Sequence, residues 1–295
     1  MGKKIIFKGC GTAISTPFTE DGINFSEFKR LIEDQIAGGV NAIIVCGTTG
    51  ESATMTEEER KETIKFTIDT VNRRIPVIAG TGSNNTASAI KMSKYAEEVG
   101  ADGLLIVTPY YNKATQAGLI EHYKAIANAT TLPIIVYSVP SRTGVNIQPE
   151  TCLELSKLEN IVAIKEASGN ISQIAKIASL CKDNLYLYSG NDDQVLPVLA
   201  LGGLGVISVL SNIAPKKFSK LTDSFFAGNL EEARKIQLES IDIIEALFSE
   251  VNPIPVKYAL NMLGYNFGKP RLPLTELSDK NKDRLIKSMK EYGLI

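Results

Sequence analysis

Short apolar runs followed by turn residues punctuate the chain at Thr12–Ser15, Ala42–Cys46, Pro76–Ala79, Gly103–Val107, Ile134–Tyr137, Ile161–Lys165, Leu185–Tyr188 and Gly205–Val209. Each is too short for a stable helix and is bounded by glycine, proline or polar clusters, which predicts a strand. Between them apolar residues recur three and four apart, as over Thr56–Val71, Ala87–Val99 and Ile171–Cys181, which predicts helices. Strands such as AIIVC and GLLIV are almost continuously apolar, as expected of a parallel sheet covered by helices; a half-exposed antiparallel sheet would alternate. From the second run to the eighth the repeat is about 27 residues, room for one strand, one helix and two short loops. Eight such units predict an α/β chain folded as a (β/α)8 TIM barrel. A doubly wound open sheet is the alternative, but the first run continues as GTAISTPF, without the glycine-rich phosphate fingerprint usual there.

Local punctuation supports the helices. Thr56 with Glu59 forms a capping box, and Pro149 suits a first helical turn ahead of Glu150. Beyond Gly228 the strand signals stop, and helices are expected near Leu230–Ser249, Pro255–Leu263 and Asp279–Tyr292. The organisation read from this is a catalytic barrel over 1–228 and a small C-terminal helical appendix over 229–295, packed on the barrel because no low-complexity linker separates them.

Composition narrows the function. The 295 residues carry 33 acids and 32 bases, a net charge of −1, and 44% are hydrophobic, so neither disorder nor a basic nucleic-acid surface is expected. No apolar run approaches the roughly 20 residues needed to span a bilayer. At the N-terminus Ile5, Ile6 and Phe7 stand between lysines, too short a stretch for a secretory signal, so a cytoplasmic location is expected. Cys10, Cys46, Cys152 and Cys181 lie far apart with no CxxC pair and read as buried or partly buried free thiols. The single histidine, His122, reads as a solvated helix residue beside Glu121 and Lys124. With one imidazole, Ser-His-Asp catalysis and a multi-histidine metal site are disfavoured, and neither a metal nor any other cofactor is expected.

In a parallel barrel the working groups follow the C-terminal ends of the strands. The second strand runs into GTTGES, the third into GTGSN, the fourth into TPYYN, the fifth into YSVPSRTG, the sixth into KEASGN, the seventh into SGNDD and the eighth into SVLSN. Lys165 closes the apolar run IVAI and shares a face with Ala163, so it points either into the barrel mouth or, snorkelling, to water. A free lysine has a pKa near 10.4 and is almost wholly protonated at neutral pH, so desolvation at such a crowded strand end is what makes an amine nucleophilic. That chemistry is Schiff-base formation with a carbonyl, which needs no metal or flavin. Proton transfer then falls to hydroxyls. Tyr137 ends the neighbouring strand and is either the proton donor or a core aromatic; Thr48 and Thr49 either cap their loop or hold a carboxylate beside Gly50. Tyr110 and Tyr111 offer further phenols or an interface, and the planar fork of Arg142 suits a second carboxylate unless it is merely solvated.

GTTGES at Gly47–Ser52, TPYYN at Thr108–Asn112, YSVPSRTG at Tyr137–Gly144 and IKEASGN around Lys165 together resemble the class I aldolase-like lyases grouped with N-acetylneuraminate lyase, over essentially the whole chain. The resemblance implies a barrel with a helical C-terminal region, assembled as a homotetramer of two tight dimers. It implies a Schiff base between Lys165 and pyruvate, and a proton relay of Tyr137, Thr48 and Tyr111, with Tyr111 donated across the tight dimer. Thr49 matches a position that binds the pyruvate carboxylate, Arg142 one that binds the carboxylate of aspartate semialdehyde, and Gly190 and Ile207 backbone positions lining the site. Arg142 favours the branch that condenses these two substrates to a hydroxylated tetrahydrodipicolinate on the route to lysine. The sialic acid lyases and ketodeoxygluconate-type aldolases, the alternative, tend to lack that arginine. Ser138 departs from the asparagine common in the family.

Some relatives are inhibited by lysine at the dimer interface. Ser52, Ala53, Asn84 and Tyr110 resemble the inhibited type, but Glu57, Arg60 and Ser88 replace two histidines and a glutamate, so weak or absent inhibition is expected. A ligand-binding regulator built on a dead barrel is the reading from another class; it would be favoured by loss of Lys165 or Tyr137, and both are present.

Overall fold

The structure is a computed structural model describing residues 3–295. Eight parallel strands close into a barrel: β1 (Gly9–Ala13), β2 (Ala42–Val45), β3 (Val77–Gly80), β4 (Gly103–Val107), β5 (Ile134–Ser138), β6 (Ile161–Glu166), β7 (Tyr186–Ser189) and β8 (Gly205–Ser208). Helices alternate with the strands, so the barrel is the fold and the open sheet is excluded. The chain divides into two compact units, one comprising the described residues up to Lys8 with Pro76–Ile207, the other Gly9–Ile75 with Ser208–Ile295.

In the first unit the ladder runs Ile78↔Gly103 between β3 and β4, Val107↔Tyr137 between β4 and β5, and Tyr137↔Lys165 between β5 and β6. The next rung is Lys165↔Tyr188 between β6 and β7. A register shift between Ile134 and Ile135 against β6 sets that alignment, since a one-residue slip would turn Lys165 to the other face. β6 is buried along its whole length. At its start the Lys3 ammonium donates to the carbonyls of Ser156, Leu158 and Ile161, using all three of its hydrogens. Burial lowers its pKa to about 8. Phe7 stacks on Tyr188 with ring centres 4.4 Å apart.

In the second unit β1 pairs with β2 through Gly11↔Ala42 and Ala13↔Ile44. β1 begins before the expected Thr12 because GCGTA has little side chain for a hydrophobic pattern to register, and it ends before Ser15 because the Ser15 amide donates to the Asn212 side chain instead of the ladder, at 2.9 Å. The helix Glu57–Val71 carries the expected capping box from Thr56 and Glu59. In the first unit Pro149 opens its short helix as expected. The expected helix Leu230–Ser249 is two, Leu230–Glu239 and Ile241–Leu247. Ser240 separates them: its hydroxyl turns back onto the Ile236 carbonyl at 2.7 Å and meets the Tyr292 hydroxyl at 2.8 Å. The helices Ile254–Met262 and Asp279–Tyr292 complete this unit. Among the described residues no helix is long and apolar enough to cross a membrane.

His122 corrects the sequence reading. It is 6% exposed rather than solvated, and its Nδ1 lies 2.9 Å from the Thr86 hydroxyl. It falls three residues after Leu119 on the face of the helix Gln116–Ala127 that also buries Tyr123 and Ile126, and burial holds its pKa below the usual imidazole value. The four cysteines are free and buried, as expected. Burial pushes the Cys46 thiol up to about 12, which removes it from nucleophilic chemistry at neutral pH.

Candidate active site

The site is built on strand ends. β6 delivers Lys165 as its penultimate residue, only 6% exposed, with the ammonium 4.3 Å from the centre of the Tyr137 ring. Registered partners on parallel strands emerge on one side of the sheet, so the ladder brings the amine and the phenol together. After β7 the chain passes through Gly190, whose amide donates to the Glu166 carbonyl at 2.7 Å. A Cβ on Gly190 would lie 2.7 Å from the Ala167 Cβ, 3.0 Å from the Glu166 carbonyl oxygen and 3.1 Å from the Lys165 Cε, so glycine is what lets this turn pass beside the lysine stem. Ile207, on β8, is fully buried.

Arg142 follows β5 in the one-turn helix Pro140–Thr143, where it is exposed. Pro140 starts the turn, and Gly144, in the left-handed region at φ 70, closes it by donating its amide to the Pro140 carbonyl. Ser138, the departure from the family pattern, lies between Tyr137 and this turn with its side chain on the face opposite Tyr137. Its hydroxyl takes a hydrogen bond from the Ile147 amide at 3.4 Å and donates to the Glu166 carboxylate. Glu166 is held besides by the Ser168 amide and hydroxyl and by Gln173, and its burial raises its pKa. Ser138 therefore ties the end of β5 to Ile147 and Glu166.

Tyr111 is 90% exposed and holds φ 70, a conformation a tyrosine seldom adopts. The Asn112 amide closes the turn on the Tyr110 carbonyl, and Asn84 donates to the same carbonyl at 3.2 Å. Within the first unit the structure thus joins Lys165, Tyr137 and Gly190, whereas Tyr111 faces away from packed protein.

Thr48 and Thr49 belong to the second unit, directly after β2. Thr48 is half-buried; Thr49 is buried and accepts a hydrogen bond from the Asn252 side chain at 3.0 Å. Asn252 and the buried pair Glu51–Lys257, 2.7 Å apart, escaped the sequence reading. The one trace of them was a lysine standing inside the apolar helix IPVKYAL. No group of three or more histidine, cysteine, aspartate or glutamate side chains able to hold a metal occurs among the described residues.

A buried lysine beside a phenol supplies the two groups that carbonyl capture and proton movement use. The model of the dihydrodipicolinate synthetase family matches residues 6–292. A 4-hydroxy-tetrahydrodipicolinate synthase of Acetivibrio thermocellus is 57% identical over 293 residues, covering 99% of this chain and 100% of that one. Among solved structures, a dihydrodipicolinate synthase of Thermotoga maritima superposes with a TM-score of 0.96 at 47% identity, covering 99% of this chain and 100% of that one. The dihydrodipicolinate synthase of Acinetobacter baumannii, solved in complex with pyruvate, superposes with a TM-score of 0.95 at 41% identity, with 99% and 100% covered. With agreement of this extent along the whole barrel, this chain belongs to the dihydrodipicolinate synthetase family.

Proposed function

We propose that this enzyme condenses pyruvate with L-aspartate 4-semialdehyde to give 4-hydroxy-tetrahydrodipicolinate, in the diaminopimelate route to lysine. The observation that carries the reading is the buried Lys165 amine set against Tyr137 at a barrel strand end, in a chain of this family. Lys165 attacks the keto carbon of pyruvate, and water leaves as the imine forms. Loss of a proton from the methyl carbon gives an enamine, whose carbon attacks the aldehyde of the second substrate. The amino group of that substrate then attacks the imine carbon, closes the ring and releases Lys165. One water is lost overall, and no redox change occurs.

Tyr137, Thr48 and Tyr111 carry the protons in this scheme, Thr49 holds the pyruvate carboxylate, Arg142 holds the semialdehyde carboxylate, and Gly190 and Ile207 line the site with backbone groups. The scheme requires no cofactor. The chain works as a barrel over 1–228 with a helical region over 229–295, in the cytoplasm, as a homotetramer of two tight dimers. The exposure of Tyr111 and Tyr110 supports a phenol donated to a partner subunit. Arg142 favours this reaction over cleavage of sialic or other sugar acids, because only the semialdehyde needs a second carboxylate held by a planar fork.

The test is to incubate the protein with pyruvate, reduce with borohydride and map the adduct by mass spectrometry. Modification at Lys165, absent in Lys165→Ala, is expected; an unmodified Lys165 would refute the mechanism. In Arg142→Ala the KM for semialdehyde should rise by on the order of tenfold or more while pyruvate trapping persists. Turnover of sialic acid or ketodeoxygluconate in preference to semialdehyde would establish the sugar-acid reaction instead.

A further inference from the structure

The reaction scheme leaves a group of buried charges behind the Thr48–Thr49 segment unused. Glu51, two residues after Thr49, stands at φ 55, a left-handed conformation that a residue with a Cβ keeps only where its surroundings dictate it. Both of its carboxylate oxygens are engaged: Oε1 accepts from the Lys257 ammonium at 2.7 Å and Oε2 from the Arg271 amide at 2.9 Å. The side chains of Glu51 and Lys257 are each 1% exposed. Lys257 also donates to the Lys269 carbonyl at 3.2 Å, and its ammonium lies 4.3 Å from the centre of the Phe18 ring. The Arg271 guanidinium lies 4.0 Å from the same ring centre and pairs with both oxygens of Glu59, the capping-box residue of the helix Glu57–Val71. Burial pushes the Lys257 ammonium below the ordinary lysine range, with the Glu51 carboxylate opposing the shift.

We infer that Glu51 and Lys257 are a positioning pair that sets the Thr48–Thr49 segment to receive the keto acid carboxylate, an inference that rests on the assignment of Thr49 to that carboxylate. A buried ion pair contributes little net stability, because desolvating two charges offsets their attraction and apolar residues of similar volume do as well. What such a pair does well is fix one geometry, since moving either partner leaves a bare charge in the interior. Here the fixed carboxylate is joined to Thr49 through Gly50 alone. The same C-terminal segment supplies Asn252, whose amide nitrogen donates to the Thr49 hydroxyl oxygen at 3.0 Å. With that oxygen already accepting, the hydroxyl hydrogen is directed elsewhere, and an anion is its complement. Neither Glu51 nor Lys257 needs to touch substrate; they act through Thr49.

The test compares Lys257→Met, Glu51→Gln and the double variant, in which neither charge is left without its partner, with the parent. Folding is read by circular dichroism, the two KM values by steady-state kinetics, and pyruvate capture by borohydride trapping across a concentration series. The pyruvate concentration for half-maximal trapping should rise on the order of tenfold or more, with the semialdehyde KM within about twofold of the parent. Any folded variant that traps pyruvate at the parental concentration overturns the inference whatever its melting temperature, because a pair serving stability alone would lower the melting point and spare keto acid affinity. If a single variant does not fold, the double variant carries the test; loss of folding in all three also counts against the inference, since the pair would then determine the fold. Failure of the parent to trap pyruvate on Lys165 would instead remove the functional reading.

Discussion

Tyr137 and Lys165 are directly registered partners on adjacent parallel strands, and the ammonium of one lies 4.3 Å from the ring centre of the other. Backbone hydrogen bonds, rather than a loop, hold the amine beside the phenol, so the hydroxyl can be removed without moving the ring. In Tyr137→Phe the ring and its contact with the ammonium remain. Turnover is expected to fall by on the order of 10²-fold or more through loss of proton transfer, with a melting temperature close to the parent. Rapid-quench borohydride trapping should show imine formation slowed but not abolished. A variant that turns over at the parental rate would remove Tyr137 from the proton relay.

Gly190→Ala probes the passage beside the lysine stem. The added Cβ would meet Glu166 and Ala167 atoms fixed by the barrel and the Lys165 Cε at 3.1 Å, so the lysine is the part able to yield. Trapping of pyruvate should drop by on the order of tenfold or more as the amine is displaced. Full trapping in this variant would mean that the turn accommodates a methyl group and that glycine is not required there.

Lysine should inhibit weakly or not at all. Asn84 and Tyr110 are present and linked, the Asn84 side chain donating to the Tyr110 carbonyl. Ser88, however, is exposed and offers only a hydroxyl where a carboxylate would pair with an effector ammonium. Glu57 is engaged by Lys61 at 2.6 Å. Half-inhibition by submillimolar lysine in a steady-state assay would contradict this expectation.

The buried His122 gives stability a defined dependence on pH. Its folded pKa lies below the ordinary 6.5, so as pH falls the unfolded chain takes up the proton first. The contribution present above about pH 6.5 is therefore lost as the pH drops toward the folded value. Between pH 7 and pH 5 the melting temperature of the parent should fall more steeply than that of His122→Gln, which has no proton to gain there. Parallel curves would show that His122 titrates alike in both states.

Much of the barrel could be read in the chain because its strands are buried on both faces and so stand out as unbroken apolar runs, and Lys165 stood out as the charge closing one of them. β1 was misplaced because three of its neighbouring positions, Gly9, Cys10 and Gly11, carry little or no apolar bulk. The burial of His122 depends on the helix Thr86–Glu98, whose Thr86 hydroxyl it meets, and nothing in its immediate neighbours announces that contact. Glu51 and Lys257 are 206 residues apart in the chain, beyond the reach of any local spacing rule. Thr48, Thr49, Tyr111 and Arg142 were legible as motif members, but the one-turn helix under Arg142 and the Asn252 bond to Thr49 required coordinates.

Lys165 and Glu166 are consecutive letters, and on paper they suggest an ion pair. The pleat sends them to opposite faces, the carboxylate outward to Ser168 and Gln173 and the amine toward Tyr137. Among the described residues Lys165 forms no ion pair. The pleat thus holds the Lys165 nitrogen and the Glu166 carboxylate on opposite faces of β6, so swapping the two residues would exchange which charge faces Tyr137 without changing composition or net charge.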